Sequence, residues 1–152
     1  MITDVEFASV PTYLDDRGYL CVLFDRLQLP NTRYPKIDRV YFVGNFAQGT
    51  VRAFHKHRQN WDCFFISSGA AKFVLVDDRE KSPTFKQSEE YVLSRVNPAV
   101  LVVPPEVWHG WMSLEDNTHL VNLASESLDK ARPDEERIPP DTFGEVWKVK
   151  NR

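Results

Sequence analysis

The chain has 152 residues, the length of one domain, and can bury a real core. Hydrophobic residues make up 42% of it and charged residues 27%, an ordinary balance for a soluble globular protein. The formal net charge of −3 gives no reason to expect nucleic acid or an anionic membrane as a partner, and no apolar run approaches the roughly 20 residues that span a bilayer. We therefore expect one domain over residues 1–152.

The N-terminal segment and the cysteines indicate the compartment. The opening sequence MITDVEFASV has no basic region and no long apolar region, so a secretory signal peptide is not expected. Cys21 and Cys63 lie in apolar runs and form no CxxC pair, which favours reduced, buried thiols over a disulfide framework or a zinc ribbon. Both observations predict a cytoplasmic protein.

Short apolar runs, rich in Val, Phe, Tyr and Leu, recur along the chain, and most end near Gly, Pro, Asn or Asp. The predicted strands are Tyr19–Phe24, Arg39–Phe46, Cys63–Ile66, Ala71–Val76, Tyr91–Leu93, Ala99–Val103 and His119–Leu123. A short helix is predicted within Leu128–Arg137, interrupted by Pro133. Strands this numerous and closely spaced predict an all-β sandwich or barrel.

The histidines form the most informative pattern. His55 and His57 are two residues apart, so on a strand both would point to the same face, and Asp62 could return to that face beyond a turn. His109 follows a Pro-Pro pair further along the chain. Side chains of this kind can hold a metal ion, or one histidine can act as a base.

These two stretches together resemble the paired motifs of the cupin superfamily. The first stretch, Gly49–Gly69, matches the first cupin motif at both of these glycines and at His55 and His57, with Asp62 where metal cupins usually carry Glu. The second keeps Pro104 and His109, but has Glu106 where a glycine is usual and Ser113 where an asparagine is common. The resemblance implies a single, jelly-roll-like cupin β-barrel.

Further stretches resemble the dTDP-4-dehydrorhamnose 3,5-epimerases, which remodel nucleotide-linked 4-keto-6-deoxysugars. Asp77–Phe85 (DDREKSPTF) resembles the D-x-R-x-x-SPTF stretch of that family, and Val103–Gly110 (VPPEVWHG) resembles its I-P-x-G-F-A-H-G. Asp16–Tyr19 (DRGY) is similar to its DERGFF segment, and Ile138–Gly144 (IPPDTFG) to its closing W-x-D-x-x-I-G. The resemblance covers most of the chain, which is shorter at its C-terminus than members of that family.

The resemblance implies a role for individual residues. Arg52 and His55 match the R-G-x-H motif of the family, so His55 would be the catalytic base, and Asp141 would be the carboxylate that pairs with it. Arg17 would hold the nucleotide phosphates, and His109 would line the sugar pocket.

Other positions depart from the family or complete its pocket. The catalytic tyrosine of the family aligns with Asn122, and its lysine falls near Asp62. Tyr41 or a water molecule would then return the proton during epimerisation. Tyr19 and Trp111, with Asn122, are predicted to contact the substrate.

A related family offers a second interpretation. Ile37–Val43 (IDRVYFV), followed by Arg52–His57 (RAFHKH), resembles the dTDP-sugar 3,4-ketoisomerases, which carry IKRVYY and then RGFHAH at the same separation. In that interpretation His55 and His57 together would move the proton between C3 and C4 on one face of the sugar.

Two further alternatives stay open. A metal cupin would bind Fe, Mn, Ni or Zn through His55, His57, Asp62 and His109. A non-catalytic cupin would bind nucleotide-sugars without turnover. The epimerase or isomerase interpretation needs no cofactor, and its resemblance implies a dTDP-linked substrate, a place in deoxysugar or cell-surface polysaccharide biosynthesis, and a homodimer.

Overall fold

The structure is a computed structural model that describes residues 1–25 and 36–149. Its secondary structure in these ranges consists of β-strands joined by turns and loops. The strands are β1 (Glu6–Ser9), β2 (Thr12–Asp15), β3 (Gly18–Cys21), β4 (Arg39–Asn45), β5 (Val51–His57), β6 (Asp62–Ser68), β7 (Ala70–Asp77), β8 (Ser88–Ser94), β9 (Ala99–Val103), β10 (Val107–Ser113), β11 (Thr118–Ala124) and β12 (Glu135–Arg137). In these two ranges we find no helix long and apolar enough to cross a membrane.

Ten strands form two five-stranded antiparallel sheets, and β2 and β3 form a separate hairpin. One sheet has the order β1-β9-β6-β11-β4, and the other has the order β12-β5-β10-β7-β8. Side chains from both sheets share one buried cluster, which includes Phe64 and Leu101 from the first sheet and Phe73 and Leu75 from the second. The all-β cupin fold predicted from the sequence is therefore confirmed.

Strand β7 shows why apolar and polar residues alternate only weakly along this part of the sequence. All eight of its residues are buried. Phe73 belongs to the cluster between the sheets, whereas Val74 packs on the outer face beneath Phe143 and Trp147 of the C-terminal segment. Because both faces of the strand are covered, it reads as a nearly continuous apolar run.

The seven predicted strands are all present: six have adjusted ends, and Ala99–Val103 is strand β9 with unchanged bounds. Tyr19–Phe24 contributes only its first part, since β3 ends at Cys21. The predicted helix within Leu128–Arg137 was wrong. Its last three residues form β12, which pairs with the edge of β5, because Pro133 interrupts a helix and the edge of β5 offers hydrogen-bond partners.

The D-x-R-x-x-SPTF stretch builds a structural turn at the end of β7. Asp77 is 0% exposed, and its carboxylate accepts hydrogen bonds from Arg79 at 2.8 and 2.9 Å, from Ser82 at 2.7 Å and from Thr84 at 2.6 Å. Arg79 also donates to the carbonyl of Thr3 at 2.6 Å. Burial opposes ionisation of Asp77, but these donors outweigh it and hold its pKa well below the usual range.

Both cysteines are free thiols. Cys63 lies on the outer face of the first sheet among apolar side chains, and burial raises its pKa to about 12. A thiol with so high a pKa is unreactive at neutral pH.

The prediction of one domain over residues 1–152 stays a prediction.

Candidate active site

Three histidines face the space between the sheets. His55 on β5 pairs directly with His109 on β10, and directly paired residues share a face. The ring of His109 lies 5.5 Å from the ring of Phe64 on the opposite sheet, so this face is the interior one. His57 is two residues beyond His55 and points the same way. The structure thus brings the three histidines predicted from the sequence to one place.

Asp62, the first residue of β6 on the opposite sheet, completes this cluster. Its Oδ2 lies 3.4 Å from Nε2 of His57 and 3.6 Å from Nε2 of His109. Its Oδ1 accepts hydrogen bonds from Asn60 at 2.8 Å and from Asn122 at 2.6 Å. Asp62 is only 2% exposed, so these amide donors compensate for the lost hydration of its carboxylate.

Asn122 extends the network to the first sheet's edge strand. Its Nδ2 lies 2.7 Å from the hydroxyl of Tyr41 on β4, while its Oδ1 is buried without a hydrogen-bond partner among the described residues. Nε of Arg39 is likewise buried and unpartnered in the described part of the chain, and the guanidinium lies 4.7 Å from the centre of the Tyr41 ring. Unsatisfied polar atoms of this kind are available to a bound ligand.

Burial controls the charge of the histidines. It lowers the pKa of His109 to about 4, although Asp62 favours the charged ring. Nδ1 of His109 lies 3.1 Å from the carbonyl of Val107, which favours a proton on Nδ1 and leaves the lone pair of Nε2 directed at Asp62. Burial also lowers the pKa of His55, although the charge of Glu135 acts in the opposite direction. Both rings are therefore neutral at pH 7.

Strand β12 supplies two charged residues that sequence analysis missed. Glu135 lies opposite His57, and Arg137 lies opposite His55. Glu135 and Arg137 are also hydrogen-bonded to each other. Burial opposes ionisation of Glu135, but this bond and the nearby His55 lower its pKa, so it is charged at neutral pH. A strand of sequence EER has no apolar periodicity, so the sequence carried no signal for it.

Other predicted site residues lie apart from the histidines. Arg17 and Tyr19 are exposed on the β2–β3 hairpin, where they line a shallow cavity of about 450 Å³. Asp141 is exposed in the turn after β12, and within the described residues its carboxylate makes no hydrogen bond or ion pair with His55. The predicted pairing of Asp141 with His55 is therefore not seen among the described residues.

Arg52 and Trp111 are paired across β5 and β10, further into the barrel than the histidines. Nε of Arg52 donates to Asn45 at 2.7 Å, and Trp111 is buried with its ring 6.5 Å from that of Phe73. Trp111 is therefore a wall of the interior. An open cleft of about 530 Å³ reaches the cluster from outside, and its lining includes Arg39 and His57.

The family follows from the sequence and the fold together. A family model described as dTDP-4-dehydrorhamnose 3,5-epimerase matches residues 1–147. The chain belongs to this family. The family predicted from the sequence is confirmed, and so is the general activity, that of an isomerase-class enzyme acting on a sugar.

Two relatives of the family are similar over almost their whole length. The "probable low-salt glycan biosynthesis epimerase" of Haloferax volcanii is 32% identical over 142 residues, which cover 92% of this chain and 89% of that protein. The spore coat polysaccharide biosynthesis protein of Bacillus subtilis is 31% identical over 157 residues and is covered completely, as is this chain.

Solved structures of the family share the fold. The dTDP-4-dehydrorhamnose 3,5-epimerase of Bacillus anthracis, solved with TDP and PPi bound, superposes with a TM-score of 0.85 at 25% identity, covering 98% of this chain and 87% of that one. A dTDP sugar isomerase of Desulfovibrio desulfuricans has a TM-score of 0.82 at 24% identity, covering 93% of this chain and 88% of that one, and supports the fold alone.

Proposed function

We propose that the protein epimerises a dTDP-linked 4-keto-6-deoxysugar by removing the proton next to the ketone, in deoxysugar or cell-surface polysaccharide biosynthesis. The observation that carries this proposal is the neutral, half-buried imidazole of His55 on the interior face of a barrel of this family. The relatives from Haloferax volcanii and Bacillus subtilis, named for glycan and spore coat polysaccharide biosynthesis, support the pathway. The TDP bound to the Bacillus anthracis enzyme supports the nucleotide.

His55 is the proposed base. A neutral imidazole accepts a proton well near physiological pH. The charged carboxylate of Glu135 stabilises the imidazolium that forms, which is the part that a carboxylate has in a His-carboxylate pair. We propose Glu135 in this role, since Asp141 lies exposed in its turn. We propose that the guanidinium of Arg137, which lies opposite His55 on β12, stabilises the enolate oxygen.

Tyr41 is the proposed acid. It lies on β4 of the first sheet, whereas His55 lies on β5 of the second. A sugar ring held between the sheets would meet His55 on one face and Tyr41 on the other, as inversion at carbon requires. Burial and the charge of Asp62 raise the pKa of Tyr41, so its hydroxyl is protonated at neutral pH and can donate.

A 3,4-ketoisomerase is the second candidate function. It is favoured by the position of His55 and His57 on the same face of β5, where they can move a proton between neighbouring carbons on one side of a sugar. In this mechanism C3 loses its proton while O4 gains one, which gives an enediol; O3 then loses its proton while C4 gains one, which leaves the ketone at C3.

Deuterium incorporation from solvent tests the proposal. With dTDP-4-keto-6-deoxyglucose in D₂O, we expect the wild type to introduce deuterium at C3 or C5, and His55→Ala to lower this rate by at least about 100-fold. His119→Ala is the matched control, because His119 is exposed on β11. Deuterium at C4 of a 3-keto product would establish the ketoisomerase instead. Bound nucleotide-sugar without any incorporation would contradict both.

The oligomeric state and the compartment stay predictions. We propose a homodimer, since the β2–β3 hairpin and the outer face of β4 expose several large apolar side chains. We also expect the protein in the cytoplasm.

A further inference from the structure

We infer that Asn122 is a positioning residue, which holds the hydroxyl of Tyr41 so that its hydrogen is available to a sugar between the sheets. The inference rests on the proposed function and deepens it, because it names the residue that makes Tyr41 the proton donor. Nδ2 of Asn122 lies 2.7 Å from the hydroxyl oxygen of Tyr41. Asn122 is 0% exposed, so it acts through Tyr41 rather than by direct contact with a substrate.

The strand register places the two side chains next to each other on the interior face. Asn122 on β11 pairs directly with Tyr41 on β4 and with Phe64 on β6. Directly paired residues share a face of their sheet, and Phe64 belongs to the cluster between the two sheets. Asn122 and Tyr41 therefore both point towards the second sheet, which carries His55 on β5.

The contacts of Asp62 determine which way the amide of Asn122 points. Oδ1 of Asp62 accepts hydrogen bonds from Nδ2 of Asn122 at 2.6 Å and from Nδ2 of Asn60 at 2.8 Å. If the amide of Asn122 were turned over, its oxygen would face the carboxylate oxygen, and two acceptors so close repel each other. The amide of Asn60 is oriented independently, because its Oδ1 accepts from the backbone N–H of Glu126 at 3.0 Å.

The orientation of Asn122 in turn determines the role of the Tyr41 hydroxyl. One hydrogen on Nδ2 is directed at Asp62 and the other at the oxygen of Tyr41, so the hydroxyl accepts in this bond. Asn122 therefore does not use the hydrogen of the Tyr41 hydroxyl. That hydrogen is left for the substrate, which is what a general acid requires.

Asn122 also favours the form of Tyr41 that remains after the proton is given. Burial and the charges of Asp62 and Glu135 raise the pKa of Tyr41, whereas the hydrogen bond from Asn122 and the charge of Arg39 lower it. The guanidinium of Arg39 lies 4.7 Å from the centre of the Tyr41 ring. Loss of the Asn122 donor would therefore leave Tyr41 both less well oriented and less acidic.

Product analysis in D₂O tests this role, with dTDP-4-keto-6-deoxyglucose as the substrate. The quantity measured is the ratio of inverted product to deuterium incorporated. Asn122→Ala should lower this ratio by at least about tenfold, because His55 still exchanges the proton but Tyr41 no longer returns it efficiently. Asn60→Ala is the matched control, since Asn60 donates to the same oxygen of Asp62 and makes no printed contact with Tyr41; its ratio should stay within about twofold of the wild type.

A double-mutant cycle separates positioning of Tyr41 from a general loss of structure. In the Tyr41→Phe background, Asn122→Ala should change the ratio by less than about twofold, because the hydroxyl that Asn122 positions is already absent. Independent effects of the two substitutions on the ratio would overturn the inference. A purely structural role would lower exchange and inversion together and leave the ratio unchanged in Asn122→Ala, which would overturn it as well.

NMR of the protein labelled with ¹⁵N-asparagine tests the hydrogen bond without a substrate. The side-chain amide signals of Asn122 are assigned by their loss in Asn122→Ala. We expect Tyr41→Phe, which keeps Asn122 in place, to move one of the two Asn122 amide protons upfield and to leave those of Asn60 unchanged. Two unchanged Asn122 protons would overturn the inference, because Asn122 would then not donate to Tyr41.

The two experiments distinguish failure of this inference from failure of the proposed function. A wild type that incorporates no deuterium would overturn the proposed function, and with it the part that Asn122 has in the reaction. A wild type that inverts the sugar, combined with an unchanged ratio in Asn122→Ala, would overturn the role of Asn122 alone. Circular dichroism melting verifies that each variant folds.

Discussion

Two buried carboxylates show how differently single residues are used in this protein. Asp77 is 0% exposed and accepts hydrogen bonds at both oxygens, so it is a structural anchor. Asp62 is almost as buried, but one of its oxygens faces two imidazole nitrogens at distances too long for strong hydrogen bonds. Asp77 and Asp62 each lie in a recognisable sequence motif, but the sequence could not distinguish the structural role of one from the site position of the other. The hydrogen-bond donors around Asp77 and the amides around Asp62 are brought to them only by the fold.

Asp77→Asn is expected to lower the free energy of unfolding by about 3 kcal/mol, because it breaks the buried Asp77–Arg79 ion pair and leaves Asp4 as the remaining carboxylate beside the guanidinium. Urea denaturation measures this change. Glu80→Gln is the matched control, since Glu80 is exposed in the same turn and should change the stability by less than about 0.5 kcal/mol. Equal stability of the wild type and Asp77→Asn would show that the turn does not need the charge.

The same carboxylate predicts the response to acid. Its folded pKa lies below its unfolded value of about 3.9, so the unfolded state binds more protons and stability falls as the pH falls. The contribution of Asp77 is complete above about pH 5 and is lost progressively below pH 4. We expect the urea midpoint to fall between pH 5 and pH 3 by more in the wild type than in Asp77→Asn. A parallel fall in both proteins would contradict this assignment.

At the scale of elements, β12 is where reasoning from the sequence failed and where the structure adds most. Its residues carry no apolar periodicity, and they belong to the stretch Leu128–Arg137 in which a short helix was predicted. Pairing with β5 overrides the weak local preference and places Glu135 and Arg137 opposite the two histidines of that strand. By contrast, β9 could be predicted to its ends, because five consecutive apolar residues have few alternatives to a buried strand.

Substitution of Glu135 and of Asp141 tests which of the two carboxylates acts together with His55. We expect Glu135→Gln to lower kcat for epimerisation by at least about tenfold with a small change in KM, because the charge acts on the imidazolium formed in the reaction. Asp141→Asn should leave both constants within about twofold, since Asp141 is exposed and makes no hydrogen bond or ion pair with His55 among the described residues. Steady-state kinetics measure both, and the reverse result would restore Asp141 as the partner of His55.

At the scale of the whole molecule, two apolar surfaces remain uncovered within the described chain. Phe42 on β4 is 75% exposed, and Leu14 on the β2–β3 hairpin is 82% exposed. Exposed apolar side chains grouped in this way mark an interaction surface. Phe42→Glu is therefore expected to convert a homodimer into a monomer in light scattering coupled to size exclusion. Val96→Glu, which alters an exposed residue in the β8–β9 turn, should leave the dimer intact. A monomeric wild type at micromolar concentration would contradict the homodimer.

The candidate site was only partly accessible from the sequence. His55, His57 and His109 could be grouped because two of them share a strand face and the third lies in a recognisable motif. Asp62, Asn122 and Tyr41 were each candidates in the sequence, but the hydrogen bonds that join them could not be predicted, because they connect β6, β11 and β4, which lie far apart along the chain. Position in one strand is a local property, whereas contact between sheets is set by the whole fold.

In the proposed mechanism, a sugar bound between the two sheets loses a proton to His55 and regains one from Tyr41 on the opposite face. The most direct measurement compares deuterium exchange with inversion in Tyr41→Phe, on dTDP-4-keto-6-deoxyglucose in D₂O. We predict that exchange continues in this variant while the inverted product falls by at least about 100-fold, because His55 alone can still remove and return the proton on one face. Inversion at the wild-type rate would contradict the claim, since Tyr41 would then have no part in returning the proton.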